Sequence, residues 1–162
     1  MRSARVAGHP VHPMIVPFPI GLWVFSLVAD VVYRAGWGGP TWSVVAYYTL
    51  VGGLIGALVA AIPGLVDYLT LRDDRARRIA TIHLVLNLAI VALYVVNLVL
   101  RTTRPDATAT LWLSVVGVGL LAVSGWFGGE LVYVLGVAVE PTDRGGLQPE
   151  IRAEERRSRT TA

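Results

Sequence analysis

The chain contains four apolar stretches that are each long enough to cross a lipid bilayer as a helix. A transmembrane helix needs about 20 predominantly apolar residues, and its backbone polar groups must be satisfied within the segment itself. The predicted crossings are Met14–Tyr33, Val44–Leu71, Ile79–Leu100 and Leu111–Val139. These lengths suit helices and exceed those of β-barrel strands. We therefore predict an all-α fold, an integral membrane four-helix bundle.

The composition favours a membrane protein and excludes several kinds of site. Of 162 residues, 54% are hydrophobic and 15% are charged, and the mean hydropathy is +0.60, which is too apolar for a soluble domain of this length. Because there is no cysteine, disulfides, thiolate-bound metals and cysteine-held iron–sulfur clusters are excluded. The basic residues are all arginines that flank the apolar stretches, so the pI of about 9.7 reflects membrane topology. No nucleic-acid partner is predicted.

The arginines predict the orientation of the crossings. Two precede the first crossing, four lie between the second and third, and five follow the fourth; the opposite side has Arg34, Arg101 and Arg104. The positive-inside rule then predicts a multi-pass protein of the inner (plasma) membrane with both termini in the cytoplasm. The N-terminus lacks a signal-peptidase-like site, so the first crossing is predicted to be retained. Residues 1–140 are predicted to form one transmembrane domain, and residues 141–162 a disordered cytoplasmic tail.

Prolines shape the segment that leads into the first crossing. They stand at positions 10, 13, 17 and 19. Proline lacks a backbone donor and pushes the preceding residue toward extended geometry, so we predict a proline-rich extended N-terminal segment. Polyproline II geometry repeats every three residues, which would place His9 and His12 on one face, about 9 Å apart.

The ionisable residues within apolar surroundings converge on one side of the predicted membrane. Consecutive crossings alternate in direction, so the three histidines and two carboxylates reach the cytoplasmic side together. Ionisable groups at membrane depth are expensive and by default mark a functional site. Imidazole binds haem iron and transition metals, and carboxylates also bind metals. We predict a cofactor site formed by His9, His12, His83 and Asn87, in which His83 with His12 or His9 binds haem b. Alternatively, the three histidines bind a divalent transition metal with help from Asp67 or Glu130, or no cofactor is bound.

Polar residues form a stripe along the third crossing. His83, Asn87, Tyr94, Asn97 and Arg101 recur at helical spacing. Such a stripe is predicted to face the bundle interior, and Asn87 lies one turn from the His83 ring.

Two carboxylates near this stripe each have alternative predicted partners. Asp67 lies at a depth similar to that of His83 and would orient its ring, or it forms an interfacial ion pair. Asp30 is predicted to neutralise an arginine. The alternative arginines are Arg72 or Arg75 for Asp67, and Arg34 or Arg101 for Asp30.

Small residues recur every four positions in two crossings. They are Gly52, Gly56, Ala60 and Gly64 in the second, and Gly125 and Gly129 in the fourth. Such stripes let helix backbones approach closely, and the alternative is room for the edge of a flat macrocycle. We expect Gly56 and Gly64 to lie at a helix contact or against a cofactor. A kink is predicted at Pro63, and an end or bend of the fourth helix near Glu130.

Several motifs give the chain a family resemblance. They are His9-Pro10-Val11-His12-Pro13-Met14, Phe18-Pro19-Ile20-Gly21-Leu22, Asp30, Gly64-Leu65-Val66-Asp67, His83 with Asn87, and Gly129-Glu130-Leu131-Val132-Tyr133 followed by Gly136. In this order, from Gly8 to Val139, they resemble domain-of-unknown-function family 2231, small bacterial and archaeal membrane proteins. The resemblance implies a four-helix membrane domain. The family is also found joined to Rieske-type or cytochrome c domains, which implies an electron-transfer setting but no established activity.

Three functions are compatible with these residues. The first is a membrane redox component that has a histidine-based haem b or metal site and a redox partner protein. The second is a structural or assembly protein whose histidines form a polar packing network, and the third is a small-ion or proton conduit along the polar stripe. A homo-oligomer is compatible with each. Ser114 and Ser124 have no neighbouring base or oxyanion context, which argues against a hydrolase; other enzyme activity is left open.

Overall fold

A computed structural model describes residues 4–104 and 108–139. In this part of the chain, a short antiparallel β-hairpin joins Arg5–Val6 (β1) to His9–Pro10 (β2). The helices that follow are Val11–Ile15 (α1), Pro17–Arg34 (α2), Thr41–Thr70 (α3), Asp74–Thr103 (α4) and Ala109–Gly129 (α5). A π-helical turn, Glu130–Val134, continues α5.

Four helical segments are long and apolar enough to cross a membrane. They are Val11–Arg34, Thr41–Thr70, Asp74–Thr103 and Ala109–Val134. The predicted all-α four-helix bundle is confirmed. The second and third crossings begin earlier than predicted because their first turns contain polar residues, which hydropathy alone assigns to connections. The predicted tail, residues 141–162, lies outside the described residues.

The N-terminal segment is extended over a shorter range than predicted. Pro10 has extended backbone (φ −71°, ψ 122°), but α1 begins at the next residue and contains His12. Pro13 is the third residue of α1, and Pro17 is the first residue of α2. The first four amides of a helix have no partner within it, so prolines there remove no hydrogen bond. The prediction of extended backbone is therefore confirmed for His9 and wrong for His12. The two histidines do not share a face of a polyproline II helix.

The connection between α3 and α4 is short because a carboxylate caps the start of α4. Asp73 accepts a hydrogen bond from the Ala76 amide at 2.7 Å, which satisfies one of the otherwise unpaired donors of the first turn. Leu71, between the helices, is extended and buried. This tight connection returns the chain into the bundle, so Asp67 and His83 lie toward the same end.

The N-terminal segment packs against the last turn of α3 and against a residue that follows the fourth crossing. The Ala4 amide donates to Asp67 Oδ1 at 2.6 Å, and Arg5 Nη2 donates to the Ala138 carbonyl at 3.2 Å. Both ends of the described chain therefore lie at one end of the bundle. We call this the histidine end, and the other the opposite end.

An apolar cluster occupies the middle of the bundle. Its buried members come from all four crossings and are Trp23, Leu50, Leu54, Ile90, Tyr94 and Leu121. The rings of Trp23 and Tyr94 stack with centroids 4.2 Å apart and planes 4° apart. A Cβ atom at Gly53 would lie 2.4 Å from the Trp23 ring, and one at Gly117 would lie 2.7 Å from the Tyr94 ring. These two glycines make room for the stacked rings.

A buried ion pair lies between the apolar cluster and the opposite end. Arg101 Nη1 donates to Asp30 Oδ1 at 2.7 Å, and its Nη2 donates to Oδ2. Arg101 Nε also donates to Asn97 Oδ1 at 3.0 Å, and Ser114 Oγ donates to Asp30 Oδ2 at 3.2 Å. Buried charges are tolerated when they are paired and further hydrogen-bonded. The predicted pairing of Asp30 with Arg101 is confirmed.

Candidate functional site

The His12 side chain extends from α1 and packs against α3, where a backbone carbonyl orients its ring. Its Nδ1 lies 2.8 Å from the Ala60 carbonyl oxygen; because a carbonyl can only accept, Nδ1 carries the hydrogen and donates it. Gly64 makes this approach possible, since a Cβ atom there would lie 2.8 Å from the imidazole Cε1 and Nδ1 atoms. The half-buried ring is therefore fixed through Nδ1, and Nε2 is its second nitrogen.

His83 is oriented in the same way by α5. Its Nδ1 lies 2.9 Å from the Ser124 carbonyl oxygen and 3.1 Å from Ser124 Oγ. Asn87 Nδ2 lies 3.1 Å from His83 Nε2 and 2.8 Å from Ser124 Oγ. The two hydrogens of the Asn87 amide are shared among Ser124 Oγ, the His83 carbonyl at 2.7 Å and His83 Nε2. With Nδ1 donating to the Ser124 carbonyl, Nε2 is the accepting nitrogen of the neutral tautomer. A Cβ atom at Gly128 would lie 3.2 Å from the His83 ring, so this glycine lets α5 pack against it.

The two oriented imidazoles lie next to each other. The ring centroids of His12 and His83 are 6.5 Å apart, and the ring planes are nearly perpendicular at 86°. Their proximity agrees with the shared depth expected from the sequence. The structure thus brings together His12, His83 and Asn87, with Ser124 as a fourth member.

The other predicted site residues have different partners. His9 is exposed, and its Nδ1 lies 3.0 Å from the Ala7 carbonyl oxygen. Asp67 accepts the Ala4 amide hydrogen bond described above, whereas Glu130 pairs with Arg75 at 3.3 Å. Within the described residues, the hydrogen bond given for the Asp67 side chain comes from the Ala4 amide and not from His83 or an arginine.

The metal set of five residues is not assembled in this structure. Across residues 4–104 and 108–139, no group of three or more histidine, aspartate or glutamate side chains converges as metal ligands would. The helical start at residue 11 places His12 in α1, whereas His9 lies in the exposed hairpin. The prediction that Asp67 and Glu130 join the histidines as metal ligands stays a prediction, as does the binding of a cofactor by His12 and His83.

The small-residue stripe on α3 is a contact surface for the first crossing. Cβ atoms built at Gly52 and Gly56 would lie 3.2 Å from side-chain atoms of Leu22 and Pro19, and Gly64 lies against His12. The expectation for Gly56 and Gly64 is confirmed. The contacting groups are side chains of the first crossing, so the stripe serves helix packing. Gly125, on α5, has open space where a Cβ atom would lie.

Two residues of the site were not predicted as part of it: Ser124 and Gly128. The sequence indicated no base near Ser124, but its hydroxyl lies 3.1 Å from His83 Nδ1. The buried positions of α5 are Thr110, Ser114, Gly117, Leu121 and Ser124. They recur three and four residues apart, which marks an inward face of hydroxyl and small residues. This period was visible in the sequence and could have placed Ser124 opposite the polar stripe of α4.

The fold and these contacts define a polytopic α-helical membrane protein with an oriented histidine pair at one end. The family model described as "Predicted membrane protein (DUF2231)" matches residues 8–141. The chain belongs to this family, in agreement with the resemblance found in its motifs. No curated protein matches it, and no solved structure matches it.

Proposed function

We propose that this protein is a membrane redox component in which His12 and His83 bind a cofactor, with b-type haem the preferred one. The observation that carries the proposal is that each ring donates Nδ1–H to a backbone carbonyl, of Ala60 and of Ser124 respectively. Histidines that bind metals almost always donate the other ring N–H in this way, which fixes the tautomer and points Nε2 at the metal. When bound, such a group would accept and pass on single electrons.

The spacing of the two rings is compatible with a shared ligand. The ring centroids of His12 and His83 are 6.5 Å apart, so both side chains would be able to hold one group. Haem would take one or two ligands from the protein, whereas a bare divalent metal would take three or four. Two histidines therefore support haem b better than a bare metal.

Asn87 would have to release one hydrogen bond for this site to fill. Its Nδ2 lies 3.1 Å from His83 Nε2, and closer, at 2.7 Å, to the His83 carbonyl oxygen. The Ser124 hydroxyl, 2.8 Å from the same amide nitrogen, would retain the Asn87 side chain. Asn87 and Ser124 would then be positioning residues that hold the neutral His83 ring in place.

A second candidate function is that of a structural or assembly protein, and one observation favours it. Both nitrogens of His83 already have protein partners, and Asn87 and Ser124 complete the network. Interhelical hydrogen bonds of this kind stabilise membrane helix packing by about 1 kcal/mol each.

A conduit for ions or protons is less well supported. The apolar cluster containing Trp23, Leu50 and Tyr94 lies between the histidine pair and the Asp30–Arg101 pair. It interrupts the polar stripe of α4 where a conduit would need polar groups or water.

The proposal includes an orientation in the plasma membrane. The histidine end also carries Arg5, Arg72, Arg75, Arg77 and Arg78, whereas Arg34, Arg101 and Arg104 lie at or near the opposite end. The positive-inside rule supports a cytoplasmic location for the histidine end. A redox partner protein would then approach from the cytoplasm, and a homo-oligomer would be compatible with this arrangement.

The experiment is an absorption spectrum and an iron analysis of the protein purified in detergent from cells supplied with iron and a haem precursor. We expect a Soret band that His83→Ala abolishes. The matched control is His9→Ala, which removes an exposed histidine and should retain the band. Wild-type protein without a chromophore or bound metal would overturn the redox proposal and favour the structural candidate. Retention of haem by His83→Ala would exclude His83 as a ligand.

A further inference from the structure

A separate surface on α4 is independent of the histidine pair. It is an open cavity of about 480 Å³ at the histidine end, where the helix begins. Its lining residues are Asp74, Arg77, Arg78 and Thr81, and all four are exposed. Because this end lies at the edge of the apolar span, the cavity is at the level of lipid headgroups.

Within the described part of the chain, the two lining arginines contact neutral groups. Arg78 Nε makes a long hydrogen bond of 3.5 Å to the Asp74 carbonyl oxygen, and the Arg77 guanidinium lies 5.8 Å from the centroid of the Tyr68 ring. Neither takes part in the ion pairs found among the described residues. Asp74 is the single carboxylate of the four lining residues, so the lining has a net positive charge. The Thr81 hydroxyl donates to the Arg77 carbonyl, and the Tyr68 side chain is a hydrogen-bond partner of Arg77. The Arg78 guanidinium and the remaining N–H groups of Arg77 are therefore the donors open to a ligand.

An apolar track continues from this cavity along the same helix face. Positions 82, 85 and 96 lie within about 40° of Arg78 at 100° per residue. Ile82, Val85 and Val96 are 45%, 58% and 52% exposed. In a bilayer these side chains contact lipid acyl chains, so one molecule can meet the arginines with its headgroup and the apolar track with its chains.

We propose that Arg77 and Arg78 bind the headgroup of an anionic phospholipid, with its acyl chains along Ile82 and Val85. Guanidinium groups are suited to phosphate oxygens because they donate in a planar fork. Basic side chains at a membrane surface attract anionic lipid. A zwitterionic headgroup adds a cation next to the phosphate and gains less from two arginines. This proposal does not depend on a cofactor at His12 and His83.

The experiment measures lipid affinity of the full chain by native mass spectrometry and by thermal melting in detergent. The probes are phosphatidylglycerol and phosphatidylcholine with the same acyl chains. We expect tighter binding of phosphatidylglycerol. The double variant Arg77→Gln/Arg78→Gln should lose about 25-fold in phosphatidylglycerol affinity, which corresponds to about fivefold for each arginine. Arg104→Gln is the matched control, because Arg104 is exposed at the other end of the same helix, and it should keep the preference.

Two further comparisons keep the test decisive. Asp74→Asn removes the lining carboxylate and should raise phosphatidylglycerol affinity, a gain that a misfolded variant cannot imitate. Soluble glycerol phosphate should compete poorly, because it lacks the acyl chains. Equal affinity for the two lipids, an equal loss in Arg104→Gln, or full competition by glycerol phosphate would overturn the proposal.

Discussion

At the residue scale, the buried polar atoms show how the bundle satisfies hydrogen bonds without water. Asn97 Nδ2 donates to the Thr110 carbonyl at 3.0 Å, and Ser26 Oγ donates to the Ala46 carbonyl at 2.7 Å. Within residues 4–104 and 108–139, the Tyr94 hydroxyl is the one fully buried side-chain polar atom without a hydrogen-bond partner. An unsatisfied buried hydroxyl is destabilising by about 1–3 kcal/mol.

This hydroxyl leads to a prediction about Tyr94. Tyr94→Phe keeps the ring stacked on Trp23 and removes the unsatisfied group, so we expect the free energy of unfolding to rise by about 1 kcal/mol. The measurement is thermal melting in detergent, with Tyr48→Phe as the control because Tyr48 is 68% exposed. A lower melting temperature in Tyr94→Phe alone would mean that the hydroxyl has a partner, such as an ordered water molecule.

The contacts of His83 show how much of the site the sequence could predict. Helix direction and length fix the depth of a residue, which is why the proximity of His12 and His83 was predictable. Depth does not fix which neighbouring helix a side chain faces. His83 faces Ser124 on α5, and Asp67 on α3 instead accepts the Ala4 amide. That choice depends on how the helices rotate to pack, which periodicity in one segment does not specify.

At the element scale, α3 shows how glycines position the first crossing. The small-residue stripe of this helix contacts three side chains of the first crossing in succession: Leu22, Pro19 and His12. The four crossings were predictable because hydropathy summed over about 20 residues is a strong signal. The start of a helix before Pro13 was not predicted. Proline is compatible with the first turn of a helix and disrupts a helix only beyond that turn.

The His12 contact leads to a prediction about Gly64. Alanine has a higher helix propensity than glycine by about 1 kcal/mol, but its Cβ atom would lie 2.8 Å from the His12 ring, and overpacking costs about 1–3 kcal/mol. We therefore expect Gly64→Ala to lower the melting temperature in detergent.

Gly125→Ala is the matched control for this variant. Gly125 is also helical, but nothing lies within 4 Å of the position of its Cβ atom. Gly125→Ala should be neutral or stabilising. Equal melting temperatures for the two variants would contradict the close contact between Gly64 and His12.

At the scale of the whole molecule, the two ends of the bundle differ in charge and in chemistry. The histidine end combines an imidazole pair with exposed arginines, and the opposite end contains the buried Asp30–Arg101 pair. The uneven arginine distribution was visible in the sequence, because it depends only on counting residues between crossings. The sequence did not indicate the hydrogen bonds from the N-terminal segment to Asp67 and Ala138, because they join segments that are distant in the chain.

This asymmetry leads to a prediction of topology. We expect reporter fusions at the C-terminus and near Thr103 to report opposite compartments, with the C-terminal reporter in the cytoplasm, because arginines are retained on the cytoplasmic side. Alkaline phosphatase and green fluorescent protein activities in whole cells provide the measurement. Matching compartments would contradict the four-crossing topology, and a reversed pair would contradict the orientation.

The stacked rings of Trp23 and Tyr94 also determine where a membrane voltage would fall within the protein. The central layer of apolar and aromatic side chains is a poorer dielectric than the hydrogen-bonded polar groups at either end. A larger share of the voltage therefore falls across this layer than across an equal thickness of either end. A unit charge transferred across the layer would couple to that share of the membrane potential, the whole of which is about 2.3 kcal/mol for each 100 mV.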